Sequence, residues 1–183
     1  MAKNWVSGLK YGAFKVRGGW CAAAWTSRGL SGLVLPQGNR AAAFQKLGEC
    51  LPKVPVQIWE KTPEKVPQNL QRQTKIALRG KRFKIKNFDI SFLTPYQQRI
   101  LWAACKIPRG QFRTYGWTTR KAGSPKGFRA AGQALTRNPV PIFIPCHRVI
   151  AGGNRLGGYG SGLNWKIKLL KNEGVAVKHG IVS

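Results

Sequence analysis

Cys146 and His147 stand next to each other in Pro145-Cys146-His147-Arg148-Val149, between Asn138-Pro139-Val140-Pro141 and Leu156-Gly157-Gly158-Tyr159. The thiolate is the attacking form of cysteine, and a neighbouring base or dipole makes it available near neutral pH. Glu173 is the only acidic residue from Leu93 to Ser183, among fifteen Lys and Arg. A carboxylate that holds one ring nitrogen of a histidine raises the basicity of the other, so Cys146, His147 and Glu173 are the candidate set for nucleophilic chemistry. Across the chain 32 Lys and Arg face 5 Asp and Glu, a formal net charge of +27. Such a surface favours polyanions through phosphate neutralisation and counterion release, which directs the nucleophile toward nucleic acid. A basic surface with no specific partner is the plain alternative.

With 183 residues and 43% hydrophobic content, the chain can bury a core in one domain or two small ones. Cys21, Cys50, Cys105 and Cys146 are far apart and show no metal-ligand spacing, so neither a metal nor a cofactor is expected. Met1–Lys10 lacks an apolar signal core, and no run approaches the roughly 20 apolar residues that cross a bilayer. The expectation is an intracellular protein with reduced thiols, cytoplasmic or, in a eukaryote, nuclear, and without membrane contact.

The elements that must position these residues divide at about residue 90. Before it, Phe14–Val16, Trp20–Trp25 and Leu33–Leu35 read as short strands, with Ser27–Gly32 as a connection. Arg40–Leu47 and Val66–Leu78 read as helices. Pro52, Pro55, Pro63 and Pro67 break the chain between them, and Arg82–Ile90 reads as a basic strand. After the boundary, Thr94-Pro95-Tyr96-Gln97 places an N-cap, a first-turn proline and a capping-box glutamine, so a helix is expected over Pro95–Cys105. A short helix follows over Trp117–Ala122, stopped by Gly123, with a second from Ser124-Pro125 to Arg137, a helix-turn-helix pattern. On the second helix Phe128, Ala131, Gly132 and Leu135 fall on the packing side. Lys126, Arg129, Gln133, Thr136 and Arg137 fall on the other, as a nucleic-acid recognition face would. The expected class is α/β (α+β), with an N-terminal strand-helix domain over 1–90 and a mainly helical domain over 91–183.

From Thr94 onward the sequence resembles the O6-alkylguanine-DNA alkyltransferase family, on Thr94-Pro95, Ile107-Pro108, Gly110, Thr114-Tyr115-Gly116, Arg129-Ala130-Ala131-Gly132, Asn138-Pro139, Ile144 to Val149, Leu156 to Tyr159, Gly162-Leu163, Lys166, Leu169-Leu170 and Glu173-Gly174. The resemblance implies single-turnover repair of double-stranded DNA by a monomer. The alkyl group on guanine O6, and by extension on thymine O4, passes to Cys146 after the nucleotide has been turned out of the duplex. It further implies that His147 takes the thiol proton through a water, that Glu173 orients His147, and that Asn138 fixes the turn. Tyr115 would donate to guanine N3. Arg129 would fill the gap left by the flipped base, with Lys126, Gln133, Arg137, Thr94, Thr114 and Ala130 on the DNA. Leu135, Pro141, Val149, Tyr159, Gly160 and Ser161 would line the pocket.

Two other classes compete. A non-catalytic damage-binding relative would lack the cysteine, whereas Cys146 is present. A cysteine hydrolase would need a histidine from elsewhere in the fold, and His179 is the only other one.

Overall fold

The structure, a computed structural model, describes residues 6, 8–51, 54, 63–85 and 87–183. They form two compact units, one comprising Met1–Lys75 with Lys84–Phe92 and the other Ile76–Phe83 with Leu93–Ser183. Both mix strands with helices, an α/β protein.

In the first unit, β1 (Lys10–Val16) pairs antiparallel with β2 (Gly19–Thr26), and β2 with β3 (Gly29–Leu33). Chain reversal at Arg17-Gly18 takes only two residues because Gly18 adopts φ 95. The Ser27-Arg28 turn is equally tight, so β3 starts within the stretch expected to connect strands, four residues earlier than Leu33. Helix α1 (Arg40–Cys50) is capped by Asn39, whose side-chain oxygen accepts from the Ala42 amide at 2.8 Å. Ala22 and Ala24 in β2 are small enough to let Ala43 and Leu47 of α1 join them in a core with Leu9, Tyr11 and Leu51.

Helix α2 (Gln68–Leu78) begins two residues later than the Val66 expected, since a residue before proline is driven out of helical geometry and Pro67 supplies the first accepting carbonyl, to Gln71. Arg82–Ile90 is not a strand. Its described residues make a single bridge, Phe88 with Leu30, and Asp89 turns inward to Thr26, Arg28 and Ser91. Lys86, Pro52 and Pro55 lie outside the described residues.

The second unit opens with α3 (Pro95–Cys105), whose capping box between Thr94 and Gln97 is complete. Next come β4 (Arg113–Thr114), α4 (Tyr115–Lys121) and α5 (Phe128–Thr136), and α3, α4 and α5 pack together as a helix-turn-helix. Helix α5 starts later than expected. Ser124 gives its amide to Thr119 and accepts from Gly127, so Ser124 to Gly127 close a turn. Lys126 therefore sits in that turn, not on the helix. Phe128 is 53% exposed, against the packing place expected for it.

A one-turn 3₁₀ helix, Cys146–Arg148, leads into β5 (Val149–Ile150), which lies parallel to β4. Helix α6 (Leu163–Asn172) and the hairpin of β6 (Val177–Lys178) and β7 (Ile181–Val182) close a core of Ile150, Leu156, Leu170, Val175 and Val182. No helix among the described residues is long and apolar enough to cross a membrane.

Candidate active site

Asn138 sits just past the end of α5, and its side chain makes three contacts. Its Oδ1 accepts from the Val140 amide at 3.0 Å, and its Nδ2 donates to the Ile144 carbonyl at 2.8 Å and to Cys146 Sγ at 2.9 Å. One buried amide thus ties the Asn138–Cys146 turn to the sulfur. The turn is tight enough to hold Ile142 at φ 67, a region that β-branched residues avoid.

Burial pushes the Cys146 thiol up, against the Asn138 hydrogen bond, the Lys166 ammonium and the Tyr159 hydroxyl, each of which favours the thiolate. Cys21 and Cys105 are carried up to about 12. The Tyr159 hydroxyl is close enough to influence the sulfur but is buried without a well-formed hydrogen bond.

His147, the residue after Cys146, is buried, with Nε2 3.0 Å from Glu173 Oε1. Glu173 caps the C-terminus of α6. Residues 76–83 anchor that end: Asn172 Nδ2 donates to the Leu78 carbonyl at 2.7 Å, and Arg109 Nε donates to the Gly80 carbonyl. Burial acts to raise the Glu173 carboxyl, but the hydrogen bonds and charges of His147 and Arg148 outweigh it and hold it at about 2. An ionised carboxylate can only accept, so Nε2 carries the proton and Nδ1 keeps its lone pair. Burial also lowers His147 itself, which keeps the ring neutral and able to act as a base.

Two site residues, though among the positions that carry the resemblance, were given no role by sequence reasoning. Arg148 grips Glu173 side-on, Nε to Oε2 at 2.9 Å and Nη2 to Oε1 at 2.8 Å, and sends Nη1 to the Ile107 carbonyl at 2.7 Å. Its adjacency to His147 together with a lone downstream acid was the available signal. Lys166 is fully buried, and its ammonium donates to the carbonyls of Val149 at 2.7 Å, Leu156 at 2.5 Å and Gly158 at 3.2 Å. Burial lowers its pKa to about 8. A lysine on an otherwise amphipathic helix gives no sign of this role, because its acceptors lie outside the helix, in preceding segments that no helical spacing connects to it.

The loop after β5 closes over the site. Tyr115 reaches the Gly158 carbonyl with its hydroxyl at 3.5 Å, and burial raises its pKa. Gly160 runs so close to the end of α5 that a Cβ there would sit 2.4 Å from the Thr136 carbonyl oxygen. Leu135, Pro141 and Val149 are buried, and Ser161 is half-buried. Arg129, Ala130, Gln133 and Arg137 are exposed on α5, as is Lys126 in the preceding turn. Thr94 and Thr114 spend their hydroxyls capping α3 and α4. His179 turns the β6–β7 hairpin at φ 47. Among the described residues no His, Cys, Asp and Glu cluster could hold a metal ion.

Fold and site together define a helix-turn-helix protein built around a buried cysteine, histidine and glutamate. Residues 95–175 match the family described as 6-O-methylguanine DNA methyltransferase, DNA binding domain. The methylated-DNA–protein-cysteine methyltransferase of Methanosarcina mazei is 45% identical over 93 residues, 49% of this chain and 59% of the relative. The constitutive enzyme of that name from Bacillus subtilis is 46% identical over 86 residues, 46% of this chain and 52% of the relative. The chain thus spans between half and three-fifths of these curated relatives. Among solved structures, the O6-methylguanine methyltransferase of Mycobacterium tuberculosis aligns over 90% of this chain and 92% of its own, with a TM-score of 0.68 and 28% identity. The O6-methylguanine-DNA methyltransferase of Pyrococcus kodakaraensis aligns over 91% and 99%, with a TM-score of 0.66 and 26% identity.

Proposed function

We propose that the protein repairs alkylated double-stranded DNA by moving the alkyl group of O6-alkylguanine, and of O4-alkylthymine, onto Cys146, once per molecule and as a monomer. The observation that carries this reading is the buried row of Cys146, His147 and Glu173, with Nε2 of the imidazole committed to the carboxylate and Nδ1 left basic. His147 Nδ1 takes the thiol proton through one water, and the sulfur attacks the alkyl carbon. The carbon–oxygen bond breaks as the sulfur–carbon bond forms. Guanine leaves with the electron pair and is neutralised by a proton, for which the Tyr115 phenol is the candidate donor.

An O6 atom stacked inside a duplex is out of reach of a buried sulfur, so the nucleotide must first be extruded, at a cost of a few kcal/mol. Arg129, exposed on the second helix of the helix-turn-helix, is the group to occupy the gap. Lys126, Gln133, Arg137 and Ala130, all exposed, are the candidates to meet the strands. Leu135, Pro141, Val149, Tyr159, Gly160 and Ser161 form the walls of the base and alkyl pocket.

Intact mass after incubation with a duplex holding O6-methylguanine tests this directly. A single methyl adduct that maps to Cys146, absent in Cys146→Ala, is the expected result. DNA affinity in that variant should stay close to the parent's, because the thiol makes no phosphate contact. Stoichiometric transfer to another cysteine would reject the assignment.

A further inference from the structure

Phe128 is a large apolar side chain left 53% exposed at the first position of α5, next to Arg129. Helix α5 packs through Ala131, Ala134 and Leu135, and the Phe128 ring is not part of that face. It rests instead against the backbone of Gly116 in α4, where an added Cβ would come within 3.3 Å of ring carbon Cε1. The ring is therefore propped at the junction of the two helices. With Thr114, Tyr115, Gly116, Arg129 and Ala151 it lines a groove of about 510 Å³, which does not include Cys146.

The chemistry of the surroundings selects the occupant. Arg120, Lys121, Lys126 and Arg129 are exposed nearby in sequence, and the sole acid of residues 93–183, Glu173, is buried beneath Arg148. A flat apolar face with Arg129 in its lining and the Arg120 guanidinium beside Gly116 suits a nucleobase still attached to its phosphates.

We propose that Phe128 acts with Arg129 as a two-part wedge, its ring stacking on the base left unpaired opposite the extruded nucleotide while the guanidinium fills the vacated position. The inference rests on the repair function proposed above. Phe128 is a positioning residue, since it touches DNA away from the reacting atoms.

The test compares two substrates: duplex DNA containing O6-methylguanine, and free O6-benzylguanine, whose benzylic carbon is activated toward displacement and needs no base flipping. F128A should lower the duplex rate by about tenfold and leave the free-base rate within about twofold, as loss of one aromatic–base stack implies. F128W should retain both. With 2-aminopurine opposite the lesion, the parent and F128W should keep its emission quenched by stacking, and F128A should release it. An unchanged ratio of duplex to free-base rates in F128A overturns the wedge, whether both rates hold or both fall. If the parent alkylates Cys146 with neither substrate, it is the repair function that fails. Emission on binding the damaged duplex then still decides whether Phe128 stacks, with equal signals from F128A and the parent ruling it out.

Discussion

Glu173 serves a neutral imidazole and a guanidinium with one carboxylate, so its removal and that of Arg148 have separable consequences. Taking away one partner of a buried ion pair leaves an uncompensated charge, which costs about 3–5 kcal/mol. Arg148→Ala is expected to lose stability on that scale in urea unfolding. The Glu173 carboxyl is held at about 2 against an ordinary 4.5. Between those values the folded protein binds fewer protons than the unfolded chain, so the contribution is complete above about pH 4.5 and vanishes as pH falls toward 2. Arg148→Ala removes part of what depresses that carboxyl, and its acid-unfolding midpoint should move to higher pH. A midpoint equal to the parent's would mean that His147 alone sets the Glu173 ionisation. Lys166 allows a second test at this scale. Lys166→Met removes a buried positive charge that favours the thiolate, so the pH profile for reaction with the free base should shift toward alkaline pH. A profile unchanged in position would exclude Lys166 from tuning the thiol.

At the scale of elements, Gly160 permits a contact between the loop and α5 that no other residue fits. Gly160→Ala should displace the loop and slow reaction with free base and duplex alike, whereas Arg129→Ala should slow the duplex reaction and spare the free base. Equal slowing in Arg129→Ala would place that arginine in the support of the site. How much of this was legible in the sequence varied with the range of the contacts involved. Helix α3 was readable because Thr94, Pro95 and Gln97 settle it locally. The start of α5 was misplaced because Ser124-Pro125 has the composition of a cap, while Ser124 is taken up by a turn that only Thr119 and Gly127 complete. Arg82–Ile90 failed as a strand for a similar reason, since Asp89 is drawn to partners more than sixty residues away. In the site, Cys146 and His147 announced themselves by adjacency and Glu173 by its isolation among cations. Arg148 and Lys166 did not, as their partners are brought in by tertiary packing.

For the whole molecule the dominant property is charge, with 17 of the 32 Lys and Arg before Leu93 and 15 after it. Because the cations are spread so evenly, Arg129→Ala should change the slope of log affinity against log salt by no more than about one. Replacing several lysines of the first unit together should flatten that slope and weaken duplex binding, with no effect on the free-base reaction. An unaltered slope would show that this half of the charge does not touch phosphate. The Asn138 amide ties the stability of the turn to the state of the Cys146 sulfur. Once Cys146 Sγ carries an alkyl group, the sulfur that accepted the amide proton becomes a bulkier thioether and a poorer acceptor inside a packed turn already holding Ile142 at a positive φ. If the proposed transfer to Cys146 takes place, the alkylated copy should therefore melt at a lower temperature than the thiol form, and an equal melting temperature would show that the turn accommodates the added group.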